Sequence, residues 1–225
     1  MYKGQSITVI IPCLNEEAGI EQVLRAMPDE YVDEIIVVDN GSTDRTAEVA
    51  ASLGAKVIRE ELRGYGRAYR RGFSCATSDL IITLDGDHSY PVDGISHLLE
   101  AFLHLHVDFL NASRFPVRDS SAMSFKHKIG NLVLSLAMSI LFFHWVRDSQ
   151  SGMWVLRRSI LKDLKLEADG MAFSEEIKIE ALRHLRIRFG GIAILDSTRL
   201  GEKKLNPWRD GIQNLLFLAR KRFFR

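Results

Sequence analysis

Leu80–Pro91 reads LIITLDGDHSYP, and its reading decides the architecture. An apolar and β-branched run stops abruptly at two carboxylates, Asp85 and Asp87, with one glycine between them. A strand with one wet face alternates apolar and polar residues. A continuous run marks a strand covered on both faces, the habit of parallel sheets. Two like charges this close gain nothing from burial, so they need a counter-charge. In an extended segment they project to the same side. A hard divalent cation is the partner that two carboxylates suit, and Gly86 leaves it room.

Working outward, runs of the same kind recur. SITVIIP, DEIIVVD, AKVIRE and VDFLNAS read as strands. Between them, EEAGIEQVLRAM, STDRTAEVAASLG, GYGRAYRRGFSCAT and PVDGISHLLEAFLH carry helical periodicity. The second helix is expected to open at Ser42 or Thr43 and close at Gly54, and the fourth to carry Pro91 near its first turn. Strands alternating with helices predict right-handed βαβ units, hence an α/β fold with a mainly parallel sheet flanked by helices. None of the five prolines falls inside a proposed element, and no repeat or linker interrupts the chain, so a single domain is expected. Beyond Arg114 the pattern loosens. It predicts a polar loop at 115–122, an apolar helix near 126–145 and a strand in GMWVLRR. Helices near 159–165 and 173–186, a strand near 188–196 and a basic, apolar tail follow.

Composition narrows the classes. The 225 residues are 46% apolar and 26% charged, as in ordinary globular proteins, and the formal charge of +1 gives no reason to expect a nucleic-acid partner. Cys13 and Cys75 have neither metal nor redox spacing; they fit a reducing compartment and are expected in the core. MYKGQSITVIIP lacks the apolar core and cleavage site of a signal peptide. Ile129–Val146 is the longest apolar stretch, yet it holds Asn131, two serines and His144; it is expected to be a buried or interfacial helix rather than a membrane span. His104 and His106 fall at a helix end with no third ligand and are expected at the surface.

In open parallel sheets, ligands bind beyond the carboxyl ends of the strands. Four polar clusters fall there: Pro12 to Glu17, Asp39 to Asp44, Arg63 to Ala68, and the segment opening Asp85-Gly86-Asp87. Gly64 and Gly66 lie near a helix start, where backbone amides favour phosphate, although the spacing is not the dinucleotide fingerprint.

VIIPCLNEE, IIVVDNGSTDRT, GYGRAYRRGF and LDGDHSYP, in that order, resemble the family 2 glycosyltransferases of GT-A (Rossmann-like) fold. ASRF, DSQSGMWVLRR, DGMAFSEEI and TRLGEKKLNPWRDG are similar to their polyprenyl-phosphate branch, the dolichol-phosphate mannose synthase type. The resemblance spans roughly residues 6–211, taken as the catalytic domain 1–211 with an amphipathic basic tail at 212–225. It implies an inverting, metal-dependent hexosyltransferase with a nucleotide-sugar donor of the GDP-mannose or UDP-glucose type. Pro12, Asn15, Glu16, Asp39, Asp44 and Gly66 would form the nucleotide pocket with Asp85. Asp85 and Asp87 would hold Mg2+ or Mn2+ on the diphosphate, with Ser89 where the family often has Gln. Asn40 replaces the second acid of the family's DDGS, and Ala172 stands where an acid often follows DGM.

A lipid monophosphate acceptor is already ionised and needs cations more than a base. Arg114 and Arg199, placed with Asp87 among the catalytic residues, and Lys126, Lys128, Lys203 and Lys204 are the candidates. The apolar helix and the tail, with Arg220, Lys221, Arg222 and Arg225, suit a membrane surface. The expected location is cytoplasmic and peripheral at the cytoplasmic face of a membrane, with a membrane-protein partner or a second copy as further possibilities. The alternative within the class is transfer to a glycan or glycolipid hydroxyl, which needs a base; Asp148 or Glu176 would be that base or a structural acid. A sugar-phosphate nucleotidyltransferase is disfavoured because PCLNEEAG is no Gly- and Arg-rich loop. A non-catalytic sugar-nucleotide-binding module is disfavoured by the intact DGD.

Overall fold

The computed structural model describes residues 1–115, 125–194 and 207–224, without the side chains of 125–127 and 207–209. Arg199, Lys203, Lys204 and Arg225, and the side chain of Lys126, lie outside the described residues.

Seven strands form one sheet: β1 Ile7–Cys13, β2 Glu34–Asp39, β3 Lys56–Arg59, β4 Leu80–Thr83, β5 Phe109–Ser113, β6 Trp154–Arg157 and β7 Phe189–Ala193. Their order is β3-β2-β1-β4-β6-β5-β7. β1 pairs in parallel with both β2 and β4, β2 with β3, and β5 with β7, so the sheet is mainly parallel. β6 is the exception. It runs antiparallel between β4 and β5. The strand order turns at β1 and β4, so the crevice beyond their carboxyl ends is the topological switch point.

Among the described residues, seven α-helices flank the sheet: α1 Glu17–Arg25, α2 Thr46–Ser52, α3 Tyr65–Cys75, α4 Ile95–His104, α5 Phe125–Phe142, α6 Phe173–Arg183 and α7 Pro207–Phe223. Both sheet faces are dry, which is why the strands read as unbroken apolar runs. On one face Ile7, Val9 and Ile11 join Leu80, Ile82 and Leu84 against Ile20, Val23, Leu98 and Phe102. On the other, Ile10, Val38 and Ile81 pack on Tyr69, Phe73, Trp154, Phe173 and Ile177. A third cluster joins α5, α6 and α7 through Leu134, Met138, Ile179 and Leu218.

Several boundaries differ from expectation for identifiable reasons. α2 opens at Thr46 rather than Ser42 or Thr43, because Asp44 folds onto the Thr46 backbone N–H at 3.0 Å and delays the helix. Residues 158–163 form a 3-10 segment instead of an α-helix. Pro12 lies inside β1. Leu84 donates to the Ile10 carbonyl and Asn40 to the Cys13 carbonyl, so even-numbered residues of β1 face β4. The β1–β4 ladder ends at Ile10 and Thr83, and the missing N–H of Pro12 falls beyond it. Cys13 is buried, but Cys75 is half-exposed. His104 and His106 are exposed. No helix among the described residues is long and apolar enough to cross a membrane.

α6 is the least expected element. FSEEIKIEA reads as half charged, yet every residue from Phe173 to Ala181 is buried. The helix packs on the sheet face and is covered by α5 and α7, so each of its charges has to find a partner inside.

Candidate active site

A cleft of about 290 Å3 opens at the switch point. Pro12, Leu14 and Glu16 line it from the end of β1, and Asp85, Gly86 and Asp87 from the end of β4. Tyr65 contributes from α3, and Met171 from the loop before α6. The segment after β4 therefore delivers its two acids to a cleft wall, as the pattern predicts. Asp87 is 6% exposed, and the Ser89 backbone N–H donates to its Oδ1 at 3.0 Å. Ser89 thus touches Asp87 through its main chain. His88, between them, takes a φ of 63°, a left-handed conformation costly for a residue with a Cβ.

The other donor-side residues divide into two groups. Pro12, Glu16 and Asp85 line the cleft. Asn15 and Asp44 knit the β1–α1 loop to the β2–α2 loop, and Asp39 braces the latter from the end of β2. Thr43 N–H donates to Asn15 Oδ1 at 2.7 Å, Ser42 N–H to Asp39 Oδ1 at 3.0 Å, and Glu17 N–H to Asp44 Oδ2 at 3.2 Å. Burial pushes the Asp44 carboxyl up, but hydrogen bonds from Thr46 and Glu17 outweigh it and hold the group below its usual range. Asn40 is a brace: its Nδ2 donates to the Glu60 and Leu62 carbonyls, and its Oδ1 accepts from Gly64 N–H at 2.7 Å.

Gly66 is a correction. Its amide donates to the Asp169 carbonyl at 2.8 Å, so it is not offered to a phosphate. A Cβ there would collide with the Ala168 carbonyl and come within 2.8 Å of Phe173. The glycine admits a protein loop rather than a ligand. That loop is fastened again where Asp169 takes ion pairs from Arg67 and Arg70.

Acidic side chains gather around Cys13 at the cleft. Burial raises the Cys13 thiol well above its ordinary value, and Glu16, Asp39, Asp85 and Asp87 each add to the rise. A Cβ on Gly86 would meet Cys13 Sγ at 2.5 Å, so only glycine lets the acidic turn sit this close to β1. The donor set, two carboxylates on the cleft wall, fits a hard divalent cation. Among the described residues no three His, Cys, Asp or Glu side chains are grouped to hold a metal by themselves.

Arg114 stands just past β5. It grips Asp148 with Nε at 2.9 Å and Nη2 at 3.1 Å, and its backbone N–H adds a third bond at 3.1 Å. Its guanidinium lies 5.7 Å from the Tyr90 ring centre. Asp148 is fully buried and also accepts from Asn131 Nδ2 at 2.9 Å. Burial alone would raise its carboxyl; the Arg114 charge and the hydrogen bonds win and hold it at about 2. Glu176, 1% exposed, accepts from the Glu167 and Ala168 amides and pairs with Lys221 at 2.8 Å. Of the two roles open to these acids, base or structural acid, both geometries fit the second. Lys128 is half-exposed in the first turn of α5.

Three contacts were not read from the sequence. The Tyr65 hydroxyl donates to Asp85 Oδ1 at 3.1 Å; its position between two glycines was the available signal. Gly152 packs its backbone on the same carboxylate, where a Cβ would lie 3.0 Å from Asp85 Oδ1. Lys178 is buried among backbone carbonyls beside them, and nothing in its helical periodicity announces that.

The profile of the family described as glycosyl transferase family 2 matches residues 8–165. The low-salt glycan biosynthesis hexosyltransferase Agl6 of Haloferax volcanii is 31% identical over 220 residues, 95% of this chain and 53% of that protein. This chain thus spans about half the length of that relative. The dolichyl-phosphate hexose transferase of the same organism is 30% identical over 214 residues, 93% of this chain and 91% of that protein. Glucosyl-3-phosphoglycerate synthase from Mycobacterium tuberculosis, crystallised with Mn2+, UDP and phosphoglyceric acid, superposes with a TM-score of 0.79. It is 23% identical and covers 97% of this chain and 78% of its own. The chain belongs to glycosyl transferase family 2.

Proposed function

We propose, starting from that membership, that the protein transfers a hexose with inversion from a nucleotide sugar to a polyprenyl phosphate, with a divalent metal. One observation carries the choice of acceptor. Asp148 and Glu176, the acids considered as bases, are buried and committed to Arg114 and Lys221. A hydroxyl acceptor would need a base; a phosphate monoester brings its own negative oxygen. The relative named as a dolichyl-phosphate hexose transferase, aligned over nine-tenths of both chains, supports the same acceptor class.

In this reading Asp85 and Asp87 hold Mg2+ or Mn2+ against the donor diphosphate, as the Mn2+ and UDP of the structural neighbour suggest. The bound cation would stabilise the charge that develops on the departing diphosphate. Tyr65 orients Asp85, and Pro12 and Glu16 flank the nucleotide. Arg114, kept cationic because Asp148 outweighs the effect of its burial, faces the incoming phosphate. Arg199, Lys126, Lys128 and Lys203 are proposed to complete that anion site.

The lipid chain needs an apolar landing surface. Leu132, Val133, Leu136 and Ile140 are exposed at helical spacing along α5, with Phe143 just past its end, and Ile212, Leu215, Leu216 and Phe223 along α7. α7 begins before Ile212, and Leu218 buries its other face in the third core cluster. Exposed Arg147, Arg220 and Arg222 accompany these stripes. An apolar stripe with cations near it suits an anionic membrane surface, and peripheral attachment there is part of the proposal.

The deciding assay offers a panel of nucleotide sugars with Mn2+ or Mg2+ to a polyprenyl phosphate and, separately, to the free polyprenol. Metal-dependent formation of a chloroform-soluble product from the phosphate alone is expected. Equal transfer to the alcohol would overturn the acceptor assignment.

A further inference from the structure

Lys178 is a charged side chain with no exposure at all, and the proposed chemistry gives it no task. Its Nζ lies 2.8 Å from the Ser149 carbonyl, 2.7 Å from the Ser151 carbonyl, and 3.0 Å from both the carbonyl and the hydroxyl of Ser174. The Trp154 ring centre is 5.1 Å away. Four oxygen acceptors and an aromatic face offset part of the cost of burying the ammonium. Two of those acceptors belong to one short segment, Asp148–Gly152, and two to the first turn of α6.

That segment joins the two halves of the site. At one end Asp148 seats Arg114. At the other, Gly152 lies against Asp85 so closely that a Cβ would meet its carboxylate oxygens at 3.0 and 3.2 Å and the Tyr65 hydroxyl at 2.5 Å. Gly152 is fixed in turn by Thr83 Oγ1 on its carbonyl at 2.7 Å and by the Tyr90 hydroxyl on its amide at 2.6 Å. Between the two ends, Ser174 Oγ donates to the Ser151 carbonyl at 2.9 Å, and Gln150 Nε2 to Glu175 Oε1 at 2.7 Å. The segment has no regular secondary structure, so side chains from α6 do the work that a strand ladder does elsewhere.

We infer that Lys178 is a positioning residue: by holding the Ser149 and Ser151 carbonyls against α6, it sets where Gly152 stops and hence where Asp85 points. This rests on the reading that Asp85 binds a metal diphosphate. A buried lysine that only satisfied stray carbonyls would affect folding and nothing else. A positioning lysine affects metal binding in a folded protein.

The test uses the full chain, its Lys178→Met variant and the milder Ser174→Ala, which removes one acceptor and one tie to Ser151. UDP binding is measured calorimetrically with and without Mn2+, beside thermal unfolding. The wild type binds UDP more tightly when Mn2+ is present. In both variants metal-free UDP binding is unchanged, while the gain from Mn2+ falls, by about tenfold for Lys178→Met and severalfold for Ser174→Ala. If Lys178→Met does not fold, Ser174→Ala alone decides. A lowered melting temperature with the full Mn2+ gain retained overturns the inference. A wild type indifferent to Mn2+ instead overturns the metal reading on which it stands.

Discussion

Asp85 and Asp148 are both aspartates in connections that meet at the site, Asp85 after β4 and Asp148 between α5 and β6, and the fold treats them oppositely. Asp148 is sealed from water, takes the full fork of Arg114 and is held at about 2. Asp85 lies on a cleft wall with a tyrosine hydroxyl on it, among acids that add to the rise burial gives the Cys13 thiol. A buried carboxylate with an internal cation fixes backbone. Carboxylates gathered on the wall of an open cleft suit a cation that arrives from solution. The difference separates the structural from the chemical use of the same side chain.

The sharpest way to break the comparison is to exchange the penalties. Asp148→Asn leaves Arg114 buried without its counter-charge and is expected to cost about 3–5 kcal/mol in urea unfolding. Asp85→Asn or Asp87→Asn is expected to leave the unfolding midpoint nearly unchanged while lowering kcat/KM by about 10²-fold and flattening the Mn2+ dependence. Stability loss from Asp85→Asn as large as that from Asp148→Asn would erase the distinction.

pH separates them further. A carboxylate with a depressed folded pKa contributes stability above its unfolded value and loses it as pH falls through the folded value. Asp148 therefore supplies about 2 kcal/mol above pH 4, lost towards pH 2, and the Asp148→Asn variant lacks this slope. Lys178 has the opposite window. Burial lowers its ammonium to about 7 despite the opposing charges of Asp148, Glu175 and Asp85, with Arg114 pushing the same way as burial. The unfolded chain binds more protons between about pH 7 and 10, so the stability of wild type relative to Lys178→Met rises across that range. The smallest effect concerns the outer surface. Leu216→Glu, at an exposed site of α7, is expected to leave turnover of a soluble short-chain acceptor intact and to weaken flotation with anionic vesicles about tenfold.

What was legible in the sequence follows from the physics of each region. Strands buried on both faces announce themselves as apolar runs, and the acids that end Leu80–Thr83 are conspicuous because they interrupt one. The antiparallel insertion of β6 was not legible, since a run such as WVLR carries no information about its neighbours. α6 was not legible as a core helix, because Glu175, Glu176, Lys178 and Glu180 look solvated until the partners that α7 and the 149–151 segment bring are in view. Gly66 misled because glycine marks a close approach without saying to what. Here a loop from about 100 residues further along fills the place that a phosphate was expected to take.

The position of β6 also orders events during synthesis. β1 to β4 can pair with one another once residue 83 is available. β5 has no neighbour in the sheet until β6 arrives, about 40 residues later, and its other edge waits for β7. The half of the crevice that carries Asp85 is thus able to form first. Meanwhile the Phe109–Ser113 strand and the apolar α5 emerge with their partners still unmade, which makes the interval before Trp154 the one in which a nascent chain most needs shielding.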